Sequence, residues 1–480
     1  MPATDSIKRE KLFIHGQWKE GSDYTELVSP YSGEVISEIP SASTEDVEEA
    51  INAADSVKPI MRNLSSFERA EILEELVTLL KSNKERAAHI IALEAAKPIS
   101  TAKGEVERTI QTYKFAAEEA KQNHGEMISL DATPGGKNRI GYTKYEPIGV
   151  IGAITPFNFP MNLVAHKIGP AIAAGNAIVL KPASQTPLSS FFLAELLEKA
   201  GLPSGALNVV TGKGRVVGNA IVEDERVNMV TFTGSPEVGK SIRNKAELKR
   251  VTLELGSNAA LIIDEDTDID SIVSRCVSGA FSFQGQVCIS LQRVYVHENL
   301  YEEFVQKFVK ETEKLQLGDP LSESTDISAL ISPEDVTRSL EWIEEATKNG
   351  ASIASGGQSD GNMLQPTVLL NVEPSMKVSC QEVFAPIVLI DKISSIDEGI
   401  EKVNDSKYGL QAGIYTESIS SALDAADQLE VGGVIVNDFP TFRVDNMPYG
   451  GVKDSGTGKE GVKYSYEEMS EMKLVVINQD

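Results

Sequence analysis

Between residues 147 and 263, short apolar runs alternate with segments of helical periodicity. The runs 148–154, 177–180, 207–210, 229–232 and 251–253 predict strands, and the stretches near 162–174, 187–200, 214–222 and 236–246 predict helices. That rhythm implies crossover units feeding a parallel, doubly wound sheet, an α/β fold. A run at 259–263 opens a second alternating series, with a helix near 268–282, a strand near 291–297 and a helix near 299–314. Upstream, residues 7–40 place Gly16, Gly21, Pro30 and Gly33 between short apolar runs and predict strands joined by turns. From Ser43 to about Asn123 the pattern is helical: Thr44 precedes Asp46-Val47-Glu48-Glu49, and residues 71–77 repeat apolar positions at helical spacing. Residues 138–145 alternate as an exposed strand does. Leu474-Val475-Val476-Ile477 forms a last short strand suited to pairing with another subunit. There is no internal repeat and no low-complexity tail.

At 480 residues the chain is long for one hydrophobic core, so two or more domains are expected. Its 41% apolar and 24% charged composition is that of a soluble globular protein. The net charge of −26 argues against nucleic acid or an anionic membrane as partner, and a solvated surface accounts for it. Cys276, Cys288 and Cys380 are too few and too scattered for a disulfide framework or a zinc site, so no metal is expected. Met1-Pro2-Ala3-Thr4-Asp5-Ser6 lacks the basic start and apolar core of a signal peptide, and no run of 18 apolar residues offers a membrane span. The expectation is a cytoplasmic protein whose free thiols survive in a reducing compartment.

One of those thiols carries the chemistry. Cys288 closes the string Gly285-Gln286-Val287-Cys288, downstream of Glu254 in Leu253-Glu254-Leu255-Gly256-Ser257. A nucleophilic cysteine needs a base for its second half-reaction, an oxyanion partner and an electron acceptor, and separate segments offer each. Thr233-Gly234-Ser235-Pro236-Glu237-Val238-Gly239 follows a strand and enters a helix, where backbone N–H groups can approach a pyrophosphate. Gly212-Lys213-Gly214-Arg215-Val216-Val217-Gly218 is a second glycine cluster. Neither is a G-x-G-x-x-G fingerprint, and either alone reads equally as a plain turn. Lys181-Pro182-Ala183-Ser184 ends another strand, where a lysine can reach a ribose or phosphate or simply be solvated. Thr155-Pro156-Phe157-Asn158-Phe159-Pro160 ends the strand 148–154. Its two prolines stiffen a loop that can hold the Asn158 amide as an oxyanion donor.

These segments, with Glu382-Val383-Phe384-Ala385-Pro386 and Pro448-Tyr449-Gly450-Gly451, stand in an order that resembles the aldehyde dehydrogenase superfamily over essentially the whole chain. The resemblance implies a discontinuous dinucleotide-binding domain (1–125 and 147–253), a catalytic domain (254–450) and a β oligomerisation arm (126–146 and 460–480), assembled as a homodimer or homotetramer. It implies that Cys288 attacks an aldehyde as a thiolate, that Asn158 and the Cys288 N–H hold the oxyanion, and that hydride passes to NADP⁺ or NAD⁺. Glu254 then activates water to hydrolyse the thioester. A free thiol has a pKa of about 8.5, so local activation of Cys288 is expected. Cofactor contacts are implied at Ile154, Thr155, Pro156, Phe157, Lys181, Ser184, Gly214, Gly218, Thr233, Gly234, Ser235, Val238, Gly239, Leu255, Glu382 and Phe384. Cys276 is expected to be a buried structural thiol, and nothing assigns Cys380 chemistry.

Departures from the family pattern narrow the expectation. Ser184 stands where NAD-preferring relatives often carry a glutamate. Without that carboxylate to repel a 2′-phosphate, NADP⁺ is expected to be accepted. Val287 replaces the arginine of many phosphate-accepting relatives. Arg108 and Arg443 fall where the family's substrate tunnel and its mouth lie, and an arginine fork suits a carboxylate, sulfonate or phosphate. Each arginine can instead pair with a nearby acid such as Asp445. The expected substrate is a short hydroxylated or anionic aldehyde of the lactaldehyde, sulfolactaldehyde or succinate semialdehyde type. A CoA-acylating dehydrogenase and a catalytically silent relative are the alternatives, and Glu254 and the intact Cys288 and Asn158 speak against them.

Overall fold

The computed structural model describes residues 7–122 and 125–479; the N-terminal hexapeptide and Asn123 of the reading above lie outside the described residues. Five parallel strands form the heart of the first sheet. Leu207–Val209, Ala177–Lys181, Val150–Ile154, Val227–Thr233 and Arg250–Glu254 lie side by side in that order. Leu12–Ile14 and Gln17–Lys19 extend one edge, and the two-residue strand Gly456–Thr457 closes the other. The middle strands are apolar and buried along their length, as expected where helices cover both faces of a parallel sheet.

Helices Asn162–Ala174, Leu188–Lys199 and Pro236–Lys245 fall where the periodicity puts them. The predicted helix over 214–222 differs in kind. Residues Gly214–Gly218 form a wide turn in which Asn219 N–H reaches back to Gly214 O, and only Asn219–Glu223 is α-helical. Glycine at both ends of the turn weakens the ordinary ladder there. The helical stretch from Ser43 resolves into Thr44–Asn63, Ser66–Ser82, Lys84–Ala95 and Ile99–Ala120. The first two begin in capping boxes, Ser43 with Asp46 and Ser65 with Glu68.

The second sheet runs Ser352–Ser355, Thr367–Leu370, Ile387–Ile393, Arg293–His297, Ala260–Ile263, Gln411–Tyr415, Gly433–Val436, parallel except for the first strand. Helix Ile269–Phe281 packs on it and buries Cys276 completely. Apart from both sheets, Ser470–Asn478 pairs antiparallel with Arg139–Pro147 through nine residue pairs, and Met127–Ile128 adds a short third strand. The stretch 460–480 therefore divides. Helix Val462–Glu468 sinks Val462 and Tyr466, four residues apart, into the core beside the first sheet, and only the residues after it project as a strand. Among the described residues no helix is long and apolar enough to cross a membrane.

Candidate active site

Ile154, Lys181, Thr233 and Glu254 are the last residues of four neighbouring parallel strands. The register sets Ile154 beside Lys181 and Thr233 beside Glu254. The chain leaves strand Val150–Ile154 towards one edge of the sheet and later returns to its other side, so these ends surround a topological switch point. Two cavities open there. A cleft of about 1060 Å³ runs over the strand ends, and a pocket of about 560 Å³ lies against helix Ile99–Ala120. Cys288, Asn158, Thr233 and Leu255 line both cavities.

The segment before Cys288 is conformationally unusual. Phe283, Gln284 and Gly285 have φ of 48°, 54° and 69°, a run of left-handed residues that costs energy at the two non-glycine positions. Its surroundings hold it in place. Gln284 Nε2 donates to Ala96 O (3.0 Å) and Ala329 O (2.9 Å), and Gln286 Oε1 accepts from Ile331 N (3.0 Å). Gly285 lies so close to Ala385 that a Cβ there would sit 2.2 Å from its carbonyl oxygen. The Asn158 amide reaches the same segment, Nδ2 donating to Gln286 O at 3.0 Å.

Cys288 keeps part of its surface open to the cavities, yet its surroundings do not pre-activate it. Burial pushes the thiol up to about 12, the charge of Glu382 adds to this, and Arg443 opposes it. The shift runs opposite to the expected local activation, because Arg443 only partly offsets the desolvation and the charge of Glu382. Glu254 shares the condition. Burial, then the charge of Glu460, raises its carboxyl well above the usual range, and neither oxygen has a hydrogen-bond partner among the described residues. Gly450, at φ 157°, makes room for it: a Cβ there would lie 2.9 Å from Glu254 Oε1. A carboxyl so raised is a strong base once it ionises.

The cleft is lined by Ile154, Thr155, Pro156, Phe157, Lys181, Ser184, Gly214, Gly218, Thr233, Gly234, Ser235, Val238, Leu255, Glu382 and Phe384. Gly239, expected with them, is not on its wall. It faces Leu255, whose Cδ2 a Cβ would meet at 2.5 Å, so it serves helix–strand packing. The Ser235 side chain caps helix Pro236–Lys245. Among the described residues the Thr155 hydroxyl, buried at the cleft wall, has no partner, and Lys181, pushed down to about 8 by burial, donates to Pro182 O. These are unmet polar groups suited to a dinucleotide. Ser257 N–H donates to Glu382 Oε1 at 2.9 Å, and burial lifts Glu382 to about 7. Phe384 meets Phe157 edge-on at 5.7 Å. The sequence reading passed over Arg215, which lines the cleft beside Gly214 and Ser184; a cation inside the glycine cluster was the available signal.

Arg108 and Arg443 both line the smaller pocket, and each has an acid. Arg108 grips Asp445 through Nε (3.3 Å) and Nη2 (2.7 Å), whereas Arg443 pairs with Glu460 (3.1 Å) and stacks 3.6 Å from the Tyr449 ring centre. Asp445 also accepts from Asn162 Nδ2 (3.0 Å) and lies 2.9 Å from His166 Nε2. Burial alone would raise its carboxyl, but His166 and Arg108 hold it well below the usual range. Glu460 accepts from Lys167 at 2.8 Å. Asp445, named from the sequence as a possible arginine partner, is that of Arg108; His166, Lys167 and Glu460 were not singled out from the sequence. Their one signal was a histidine and a lysine inside the otherwise apolar helix Asn162–Ala174, which is buried throughout.

Residues 18–475 match the family model described as the aldehyde dehydrogenase family. A 3-sulfolactaldehyde dehydrogenase of Priestia megaterium is 48% identical over 479 residues, covering 100% of both chains. Among solved structures, aldehyde dehydrogenase 21 from Physcomitrella patens, in complex with the reaction product succinate, superposes with a TM-score of 0.97 at 39% identity over 99% of each chain. Glyceraldehyde-3-phosphate dehydrogenase GapN from Methanocaldococcus jannaschii, complexed with NADP, gives 0.92 at 42% identity over 95% of this chain and 100% of that one. The chain belongs to the aldehyde dehydrogenase family. It is an NAD(P)-dependent oxidoreductase acting on an aldehyde group.

Proposed function

We propose that this enzyme oxidises a short anionic or hydroxylated aldehyde, of the sulfolactaldehyde, succinate semialdehyde or lactaldehyde type, to the free acid, with NADP⁺ accepted. The observation that carries the substrate reading is the pair Arg108 and Arg443 lining the pocket that ends at Cys288. Guanidinium groups on the wall of this pocket suit an aldehyde that also carries a carboxylate or sulfonate. A similar sulfolactaldehyde dehydrogenase and a similar structure holding succinate support the same reading.

In this mechanism the Cys288 thiol gives its proton to water in the open pocket, and the thiolate attacks the carbonyl carbon. The Asn158 amide leaves Gln286 O and, with the Cys288 N–H, holds the oxyanion of the thiohemiacetal. When bound, NADP⁺ or NAD⁺ would supply the hydride acceptor, and Lys181, Ser184, Arg215, Glu382 and Phe384 on the cleft wall would hold it. Glu254, once ionised, takes a proton from the water that cleaves the thioester, and its presence favours hydrolysis over acyl transfer to CoA.

The strand Ser470–Asn478 presents Met472, Leu474 and Val476 about half exposed, which supports pairing of arms into a homodimer or homotetramer, in a reducing cytoplasm. A panel of aldehydes with each cofactor, using Cys288→Ser as blank, tests the reading. Equal kcat/KM for propanal and the anionic aldehydes overturns the substrate class; a CoA thioester formed on adding CoA overturns hydrolysis.

A further inference from the structure

Lys97 and Glu105 form an ion pair whose side chains are both 0% exposed, behind the wall of the active site. Lys97 Nζ also donates to the backbone oxygen of Asn158 at 2.6 Å. It lies 3.8 Å from the ring centre of Phe159, on the oxyanion loop, and 4.2 Å from that of Phe283, on the segment leading to Cys288. The other Glu105 oxygen accepts from the backbone N–H of Met161 (3.0 Å) and Asn162 (3.2 Å). The loop is thus gripped on both sides of Phe159 by one pair. The residue before Lys97 completes the junction: Ala96, at φ 49°, presents its carbonyl to Gln284 Nε2.

We propose that Lys97, fixed by Glu105, is a positioning residue for the oxyanion site, setting the Asn158 amide relative to the Cys288 segment. The proposal rests on the oxyanion role given to Asn158 above. A fully buried ion pair is a poor stabiliser compared with apolar residues of the same shape, so stability alone does not account for one here. Its place does. The ammonium binds the main chain of the residue whose side chain must meet the oxyanion, and touches one aromatic from each half of the site. A cation between two aromatic faces holds both without blocking either backbone. A misplacement of about 1 Å at such a site costs on the order of 100-fold in rate.

The test is the pre-steady-state burst of NADPH in the full-length enzyme with succinate semialdehyde or propanal, whichever the wild type turns over faster. The double variant Lys97→Met/Glu105→Gln removes both charges while glutamine still accepts from Met161 and Asn162. It should slow the burst about 10- to 100-fold with the KM for NADP⁺ within about twofold. Asn158→Ala alone should slow it about 100- to 1,000-fold. Added to Asn158→Ala, the double variant should cost nothing further, since there is no amide left to position. A full additional loss in that background, or an unchanged burst in the double variant, overturns the proposal. If the double variant does not fold, Glu105→Gln alone enters the same cycle and is judged by the same outcomes. An unaffected burst in Asn158→Ala removes the oxyanion reading itself, and this inference with it.

Discussion

Lys167 Nζ donates to Glu460 Oε1 across 2.8 Å, with only 1% and 2% of the two side chains exposed. Burial alone would raise the Glu460 carboxyl, but Lys167 and Arg443 hold it at about 2, so it stays ionised beside Glu254. Burial and that fixed negative charge together lift Glu254. Glu460→Gln removes the charge and frees two cations to favour ionised Glu254, so the pKa of Glu254 must fall. Hydrolysis needs the ionised form. The acid limb of the pH–kcat profile, measured where thioester hydrolysis is slow, should therefore move to lower pH by about one unit. A limb that stays put or moves to higher pH would break the link between the two carboxyls.

Removing the base separates the two half-reactions. Glu254→Gln should leave one equivalent of NADPH formed per site and slow steady turnover about 100- to 10,000-fold. Acid quenching followed by mass spectrometry should find the acyl group on Cys288. Cys288→Ser should give no burst. Equal losses of burst and steady rate in Glu254→Gln would place the glutamate in the first step instead.

The cofactor cleft predicts a charge effect of definite sign. Ser184→Glu sets a carboxylate in the cleft region that Lys181 and Arg215 make positive. The KM for NADP⁺ should rise at least about tenfold, with little change for NAD⁺, and Arg215→Ala should act in the same direction. Steady-state kinetics with both cofactors decides; a parallel change for the two would mean that the 2′-phosphate is not bound there.

The pocket arginines differ in what their loss leaves behind. Arg108→Leu strips Asp445 of its bidentate partner, and the carboxylate remains held by Asn162 and His166. Arg443→Leu leaves Glu460 with Lys167. Either change should raise KM for succinate semialdehyde about 10- to 100-fold and for propanal much less, since a charged hydrogen bond to substrate is lost only with the anion. Asp445→Asn combined with Arg108→Leu removes the orphaned charge and should keep the discrimination low. Equal effects on both substrates would remove the anion-binding role.

Much of the site was legible because its members stand at chain positions that are special locally. Lys181 and Glu254 end apolar runs, Asn158 lies between prolines, and Cys288 comes three residues after Gly285, so each announces a strand end or turn before any contact is known. Gly239 misled for the same reason. A glycine at the start of a helix reads alike whether it faces a ligand or, as here, the Leu255 side chain. His166, Lys167 and Glu460 carried almost no local signal, since a buried charge differs from a surface one only by its partners, and these partners lie hundreds of residues away.

By itself the sequence determined the alternation that builds two parallel sheets and the order of the motifs, because periodicity and turn chemistry act over a few residues; the roles proposed for Cys288, Glu254 and Asn158 rest on the family resemblance those motifs carry. The tertiary structure alone decided the electrostatic state of those groups. Burial and neighbours brought from distant segments raise both the Cys288 thiol and the Glu254 carboxyl above their usual ranges. It also decided which acid each arginine meets, Asp445 for Arg108 and Glu460 for Arg443. Electrostatic energies depend on distance and desolvation, and neither exists until the chain has folded.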